Sequence, residues 1–450
     1  MVAAPAVDRV ARARPAGSRH QNALDGLRAG AAGLVLLTHV GSLTGYSING
    51  TPVSWVLARG DVGVPIFFTL SGLLLYRRWA TAALTGASPG RLTGYLRRRA
   101  LRILPAYWAA VIIALLTLNP GASHHIWSWA EYLLLLQNYD PHPFWTGTGA
   151  TGLAQMWSLV VEVSFYLVLP LLGAALSWFA CRGGGRHGGR EGIGRRARRL
   201  LAAIAVLAAS SIGWQFLIYF PRANFRFQAT LPPLMIWFCA GMALAVLLAW
   251  AAADPEPGSP AGRIGRSVAA SAGMCGLIAA CAFALACTPL AGPEFFGIPG
   301  LWSTEFKTLL YSVVSAAIVA PIACQPLLPD RGARMVSARL LGSRPVRFLG
   351  KISYGIFLWQ YLAAYAFFAV LGLKTAFQGG IYNAGEVAAI GLAIALLTVV
   401  AATASYYLIE FPAQHFRLAW FTRWLLSPVR LAAPAAAEPA GPGGEPAGPT

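Results

Sequence analysis

The residues best suited to chemistry are charged side chains that interrupt apolar segments. In the run LDGLRAGAAGLVLLTHV, Arg28 and His39 are separated by eleven positions. That spacing is about three helical turns, so both should project from one face of a helix, roughly 16 Å apart along its axis. Ionisable groups at membrane depth usually face the protein interior or a wet cavity. We expect both to line one path, with Asp25 as the ion-pair partner of Arg28. The alternative for His39 is a packing role.

The segment YLRRRALRILPAYW contains a cluster of arginines. Arg99 and Arg102 are spaced i, i+3 and should project together, and forked guanidinium groups suit phosphate. We predict that this pair binds phosphate. Arg97 and Arg98 are assigned to membrane topology. Membrane topology is also the alternative role for Arg99 and Arg102.

Glu162 lies inside the apolar run QMWSLVVEVSFYLVLP. A carboxylate within a membrane helix is a candidate site residue. We expect His39 to be its partner, because both side chains should lie in the same half of the membrane. A base and an acid that orients it would then meet there, and a structural ion pair or hydrogen bond is the alternative.

Other polar or reactive residues favour packing and loop roles. Ser71 and Gly72, in DVGVPIFFTLSGLLLY, by themselves indicate only close helix packing. The six cysteines resemble small apolar residues more than ligands. No metal site is expected from the loop histidines, which lack supporting ligands: His124, His125 and His142.

Apolar segments must position these side chains. Hydrophobic residues make up 57% of the 450 residues and charged residues 11%. The apolar runs approach the ~20 residues that span a bilayer. We therefore predict an all-α, polytopic integral membrane protein with about ten transmembrane helices. The expected spans are 24–46, 61–78, 102–118, 158–180, 200–219, 231–252, 268–290, 306–325, 348–371 and 386–409.

Basic residues concentrate in alternate loops, whereas the loop 119–157 contains no lysine or arginine. By the positive-inside rule, this alternation predicts that both termini are cytoplasmic. The first span should be retained, since it is too long for a signal-peptide core. The net charge of +19 then reflects topology and contact with the lipid bilayer, and it predicts no nucleic-acid partner.

The chain should form one membrane domain, 22–416, after a basic and flexible N-terminal segment, 1–21. The Gly/Arg loop 182–199 and the Ala/Pro/Gly tail 428–450 have compositions typical of disorder.

Six motifs in order resemble the acyltransferase-three family of integral membrane acyltransferases, over roughly Asn22 to Phe416. They are LDGLRAxxxxxVxxxH, GVxxFFxLSGLLL, RRRxLRILPxYW, WSLxVExxFYLxLP, LGxISYGIFLWQ and YYLIEFP. The family includes O-antigen and exopolysaccharide O-acetylases and macrolide acylases. The resemblance implies ten helices in the inner membrane, a cytoplasmic acyl-CoA donor, expected to be acetyl-CoA, and transfer to a sugar or polyketide hydroxyl. No permanently bound cofactor is implied.

The resemblance also assigns roles to residues. His39 and Glu162 match motif positions that we take as catalytic, and the positions taken to bind acyl-CoA are Arg28, Arg99, Arg102, Ser71 and Gly72. The chain departs from the family pattern at three positions: Pro65 replaces an acidic residue, Gln360 replaces the histidine of a Trp-His pair, and Phe411 replaces an arginine. These departures put the acceptor more in doubt than the donor.

The predicted function is that of a membrane O-acyltransferase, in which His39 is either the general base or a transient acyl carrier. A transporter or flippase of a lipid-linked sugar is the alternative, and a non-catalytic scaffold is a further one. No inverted repeat of broken helices supports transport. The acceptor is either a cell-envelope glycan or a macrolide-like molecule.

Overall fold

The computed structural model describes residues 16–140, 149–182, 189–221, 224–256, 258–293, 299–328 and 340–415. Every regular element in these ranges is helical, which confirms the all-α class. The main helices are α1 (Ala16–Leu43), α2 (Gly63–Thr85), α3 (Leu92–Leu118), α4 (Trp157–Cys181), α5 (Arg190–Tyr219), α6 (Leu231–Ala253), α7 (Pro260–Ala270), α8 (Ala272–Ala286), α9 (Leu301–Cys324), α10 (Ser353–Val370) and α11 (Ala384–Ser405). Shorter helices cover Pro52–Ala58, Ile126–Leu133 and Arg344–Lys351.

Nine helices in the described part of the chain are long and apolar enough to cross a bilayer. The pair α7 and α8, bent by 69°, would be a tenth span. The protein is therefore a polytopic membrane protein, as predicted. The bend is a correction, because residues 268–290 were expected to form one continuous span. Charge offers a reason: α7 contains Arg263 and Arg266, which favour water, whereas α8 is wholly apolar.

Several helices extend beyond the apolar part that hydropathy marks. The segment 1–21, predicted to be flexible, is helical from Ala16, and the loop 182–199, predicted to be flexible, is helical from Arg190. Basic residues are good helix formers, so a span continues into water without a break. Residues 1–15 and 183–188 and the predicted tail 428–450 lie outside the described residues.

Helix α2 is the central element, and it packs against α1, α4, α6 and α9. Its closest approach is to α6, where a Cβ atom added to Gly72 would collide with the backbone of Phe238. A Cβ atom on Gly241 would likewise collide with the backbone of Thr69. Small residues allow such close contact between membrane helices. Gly72 therefore has a packing role, which fixes the neighbouring Ser71 on a rigid support.

Polar contacts identify the two ends of the bundle. At one end, Asp61, just before α2, pairs with Lys307 near the start of α9. At the other end, Arg196 near the start of α5 donates to the carbonyl of Leu84 near the end of α2. We call the end with Arg196 and Leu84 the basic end, because the arginine-rich start of α3 follows α2 there after a short loop. We call the end with Asp61 and Lys307 the opposite end.

Candidate functional site

A cavity of about 170 Å³ lies between α1, α2, α3, α4 and α10. Five of the seven predicted site residues line it: Arg28, Ser71, Arg99, Arg102 and Glu162. They come from four helices that are distant in sequence. The structure thus gathers motifs that share no local segment into one site, which we call the arginine cavity.

The arginines of this cavity differ in their contacts. Arg28 Nη1 lies 2.6 Å from Asp25 Oδ1, which confirms the expected ion pair. The guanidinium of Arg99 lies 5.8 Å from the centre of the Tyr166 ring. Arg102 is close enough to Arg28 for the two charges to repel each other. An anion placed between these groups would relieve that repulsion.

A surface cavity of about 490 Å³ adjoins the arginine cavity at the basic end, and Arg99 and Arg102 line both. Its other polar lining includes Arg97, Arg98 and Gln414. Arg97 and Arg98 were assigned to topology from sequence, and the structure also places them at this site. Guanidinium groups in such a cluster suit a ligand with several phosphates.

A buried acidic residue adds to this site from the far end of the chain. Glu410 lies in a single π-helical turn, Tyr406–Glu410, and accepts a hydrogen bond from Ser405 at 3.3 Å. Its charge is near enough to affect Arg102. The arginine cavity and the surface cavity together contain five arginines, against three neighbouring carboxylates: Asp25, Glu162 and Glu410.

Glu162 does not pair with His39, so that prediction was wrong. Its Oε1 atom accepts hydrogen bonds from Ser71 Oγ at 2.5 Å and from Tyr166 Oη at 2.6 Å. The carboxylate therefore faces α2 across the arginine cavity. Glu162 lines the same cavity as Arg28, whereas His39, about three turns further along α1, does not line it.

His39 lies beside α10, apart from the residues that line the arginine cavity. Its ring packs on Tyr361, with ring centroids 4.4 Å apart. The side chain of Gln360 lies next to the imidazole. His39 Nδ1 and Gln360 Oε1 are both buried, and neither has a formed hydrogen bond among the described residues.

Gln360 is a neighbour of His39 to which the sequence analysis assigned no role at the site. Its Nε2 atom donates to the carbonyl of Phe357 at 3.0 Å, which leaves Oε1 as the free acceptor beside the imidazole. Sequence did contain a signal, because Gln360 replaces the histidine of the family's Trp-His pair. Among the other histidines, His142 lies outside the described residues.

The fold is that of a multi-pass membrane protein, and its arginine cavity is lined by Arg28, Arg99 and Arg102. The family profile described as an acyltransferase domain, of the acyltransferase-three family, matches residues 21–410. This chain belongs to that family.

Two curated relatives align with part of the chain. Nodulation protein 10 of Rhizobium leguminosarum bv. viciae is 32% identical over 179 residues, covering 34% of this chain and 45% of that protein. Acyltransferase MdmB of Streptomyces mycarofaciens is 30% identical over 159 residues, covering 33% of this chain and 38% of that protein. The chain thus spans less than half the length of either relative. No solved structure matches.

Proposed function

We propose that this protein transfers an acyl group, expected to be acetyl, from acyl-CoA to a hydroxyl of a sugar, a cell-envelope glycan or a macrolide-like acceptor. The observation that carries this proposal is the meeting of Arg28, Arg99 and Arg102 in one cavity with the Ser71–Glu162 pair. In the proposal, the basic end faces the cytoplasm and the membrane is the inner membrane, in agreement with the positive-inside rule.

The donor is held through its phosphates. The surface cavity, with Arg97 and Arg98, receives the nucleotide end of acyl-CoA, and Arg99 and Arg102 bind the phosphates nearer the arm. Arg28 supplies a further cation at the inner end. The pantetheine arm then runs along α1 toward His39, which lies roughly 16 Å further along that helix.

His39 performs the proton transfer. Its Nε2 atom takes the proton of the acceptor hydroxyl while the hydroxyl oxygen attacks the thioester carbonyl carbon. The C–S bond breaks, and the departing CoA sulfur receives that proton. In the covalent version, His39 Nε2 attacks the thioester carbon first, and the C–S bond breaks to release CoA thiolate. The acceptor hydroxyl then attacks the acyl carbon, the C–N bond breaks to regenerate the imidazole, and the hydroxyl proton passes to the thiolate.

Gln360 rather than Glu162 orients His39 in this proposal. If Nδ1 carries the hydrogen and donates to Gln360 Oε1, both unpaired buried atoms are satisfied and the Nε2 lone pair is free to act as a base. Glu162 instead holds Ser71 and Tyr166 in place at the donor cavity.

The proposal is tested with protein in lipid nanodiscs, acetyl-CoA labelled in the acetyl group, and separate acceptor pools of envelope glycan and macrolide. Free CoA thiol should form only when an acceptor is present, and the label should appear in that acceptor. Protein-free nanodiscs give the background. In sealed vesicles, movement of a lipid-linked sugar across the membrane with no thiol release would support the transporter alternative instead.

A further inference from the structure

A second cavity, of about 350 Å³, lies at the opposite end of the bundle. It is enclosed by the turn before α2 and by the facing ends of α5, α6 and α9. Asp61, Gln215 and Lys307 are its main polar lining, and Trp157 and Trp237 contribute aromatic walls. We call it the opposite cavity.

Two of the three charged groups that line the opposite cavity, Asp61 and Lys307, are paired with each other. Asp61 Oδ2 accepts a hydrogen bond from Lys307 Nζ at 2.7 Å, and Asp61 Oδ1 accepts one from the hydroxyl of Tyr311. The side chains of Asp61 and Lys307 remain 36% and 27% exposed, so a ligand can still reach their free lone pairs and N–H groups. This arrangement offers hydrogen bonds to a ligand without an unpaired surface charge.

One wall of the cavity is held by Arg59, which is 2% exposed. Its guanidinium donates to the carbonyls of Gly292 at 2.6 Å and Pro293 at 3.2 Å. The backbone at Gly292 has a φ of 85°, which favours glycine. The wall is therefore fixed before any ligand arrives, and the Arg59 cation is directed at backbone oxygens rather than at the cavity.

Gln215 supplies an independent sign that a ligand belongs here. It is 1% exposed, it lines the cavity, and its Oε1 atom is buried with no hydrogen-bond partner among the described residues. Buried polar atoms are nearly always paired, and an unpaired one calls for an explanation. A hydroxyl group of a ligand would supply the missing donor.

The opposite cavity also borders the arginine cavity, where the donor is proposed to bind. Val64 lines both this cavity and the arginine cavity, and Trp157 lines this one while the next residue, Ser158, lines the other. Asp61 is close enough to His39 for its charge to act on the imidazole. A ligand that enters here would approach a donor that enters from the basic end.

We propose that the opposite cavity binds the uncharged sugar ring that carries the acceptor hydroxyl. Gln215 Oε1 and Asp61 accept hydrogen bonds from ring hydroxyls, Lys307 donates to a ring oxygen, and Trp157 covers the apolar face of the sugar. This inference rests on the proposed function, because it assigns the acceptor of that reaction. Asp61 and Lys307 pair with each other and Arg59 donates to backbone carbonyls, so no charged group of the described lining is left open to an acidic sugar and a neutral one is favoured.

Direct binding of simple sugars tests the proposal without any donor. The protein is placed in nanodiscs, since glycoside detergents would compete, and saturation-transfer NMR titrations measure neutral methyl hexosides, a methyl glucuronoside and butanol. A neutral hexoside should bind most tightly. The proposal is overturned if no hexoside binds up to its solubility limit, or if the glucuronoside or butanol binds as tightly.

The matched variants are Gln215→Met and Gln325→Met. Both remove an amide with an unpaired buried atom, but Gln325 lies at the end of α9, away from either site. Loss of one hydrogen bond should weaken hexoside binding about three- to tenfold in Gln215→Met and leave it unchanged in Gln325→Met. Equal effects in both variants would overturn the assignment. Acetyl-CoA binding in each variant confirms that it is folded.

This experiment separates the two proposals. Hexoside binding that depends on Gln215, together with a failure to transfer acetyl groups, would refute the enzyme function but not the sugar site. Acetyl transfer to a hexoside with a KM that Gln215→Met does not change would refute the sugar site alone.

Discussion

Removal of the Arg102 guanidinium should weaken donor binding and leave the chemical step almost intact. Arg102 lines both the arginine cavity and the adjoining surface cavity, so it is placed to contact a phosphate of acyl-CoA. A contact far from the reacting carbonyl is made about equally in the ground and transition states. Its loss therefore raises KM for the donor and does not lower kcat.

The expected size follows from the strength of charged hydrogen bonds. A hydrogen bond to a charged group contributes about 1.5–3 kcal/mol. Since about 1.4 kcal/mol corresponds to a factor of ten in affinity, Arg102→Ala should raise the KM for acetyl-CoA by about tenfold to about a hundredfold. The rise in KM should be smaller in Arg102→Lys, which keeps the positive charge but loses the forked N–H donors of the guanidinium group.

Steady-state thiol release at varied acetyl-CoA and saturating acceptor measures both constants. Arg77→Ala is the matched control. Arg77 is an exposed arginine on α2, toward the basic end of the bundle, and it lines neither the arginine cavity nor the surface cavity. It should change KM little. A collapse of kcat in Arg102→Ala at unchanged KM, or an equal change in Arg77→Ala, would refute the role of Arg102 in donor binding.

Three further predictions concern positioning and topology. Glu162→Gln keeps the size of the side chain but weakens its hydrogen bonds with Ser71 and Tyr166. The KM for acetyl-CoA should therefore rise by a larger factor than kcat falls. A fall in kcat at unchanged KM would restore Glu162 as the partner of His39. Gln360→Met should lower kcat about fivefold with donor KM unchanged, because one hydrogen bond of about 1 kcal/mol orients the imidazole. Gln360→His, which keeps a ring acceptor, should recover most of that loss, and equal rates in both variants would mean that Gln360 only packs. A fluorescent or phosphatase reporter fused after Thr450 should report a cytoplasmic C-terminus, and a periplasmic signal would reverse the proposed orientation.

Hydropathy was sufficient to predict the helices because each span is apolar over most of its length. Hydropathy predicted the bounds of a helix less well where polarity changes along that helix. The bend between α7 and α8 falls where a basic helix, with Arg263 and Arg266, meets an apolar one, just inside the expected start of the span 268–290. Hydropathy also did not predict that α5 begins as early as Arg190, because a helix can continue through polar residues that do not favour lipid.

Five of the seven predicted site residues line one cavity, but their contacts with one another were only partly predictable. Residues with fixed spacing on one helix, such as Arg28 and Asp25, could be paired from sequence. His39 and Glu162 were paired because both were expected in the same half of the membrane, whereas Glu162 lines the cavity that contains Arg28 and His39 does not. Helix α2 packs against both α1 and α4, and it supplies Ser71 as the partner of Glu162. Gln360 was overlooked because its role depends on the packing of α10 beside His39.

The central claim is that His39 performs the acyl transfer, and the His39→Gln variant tests it most directly. Glutamine keeps polarity and approximate size but cannot serve as an equivalent base. General-base assistance contributes ~10²–10⁴-fold in rate, so thiol release with acceptor should fall by at least about a hundredfold while acetyl-CoA binding stays within about twofold. Near-normal turnover in His39→Gln, at equal protein level in the membrane, would contradict the claim and leave the histidine a packing residue against Tyr361.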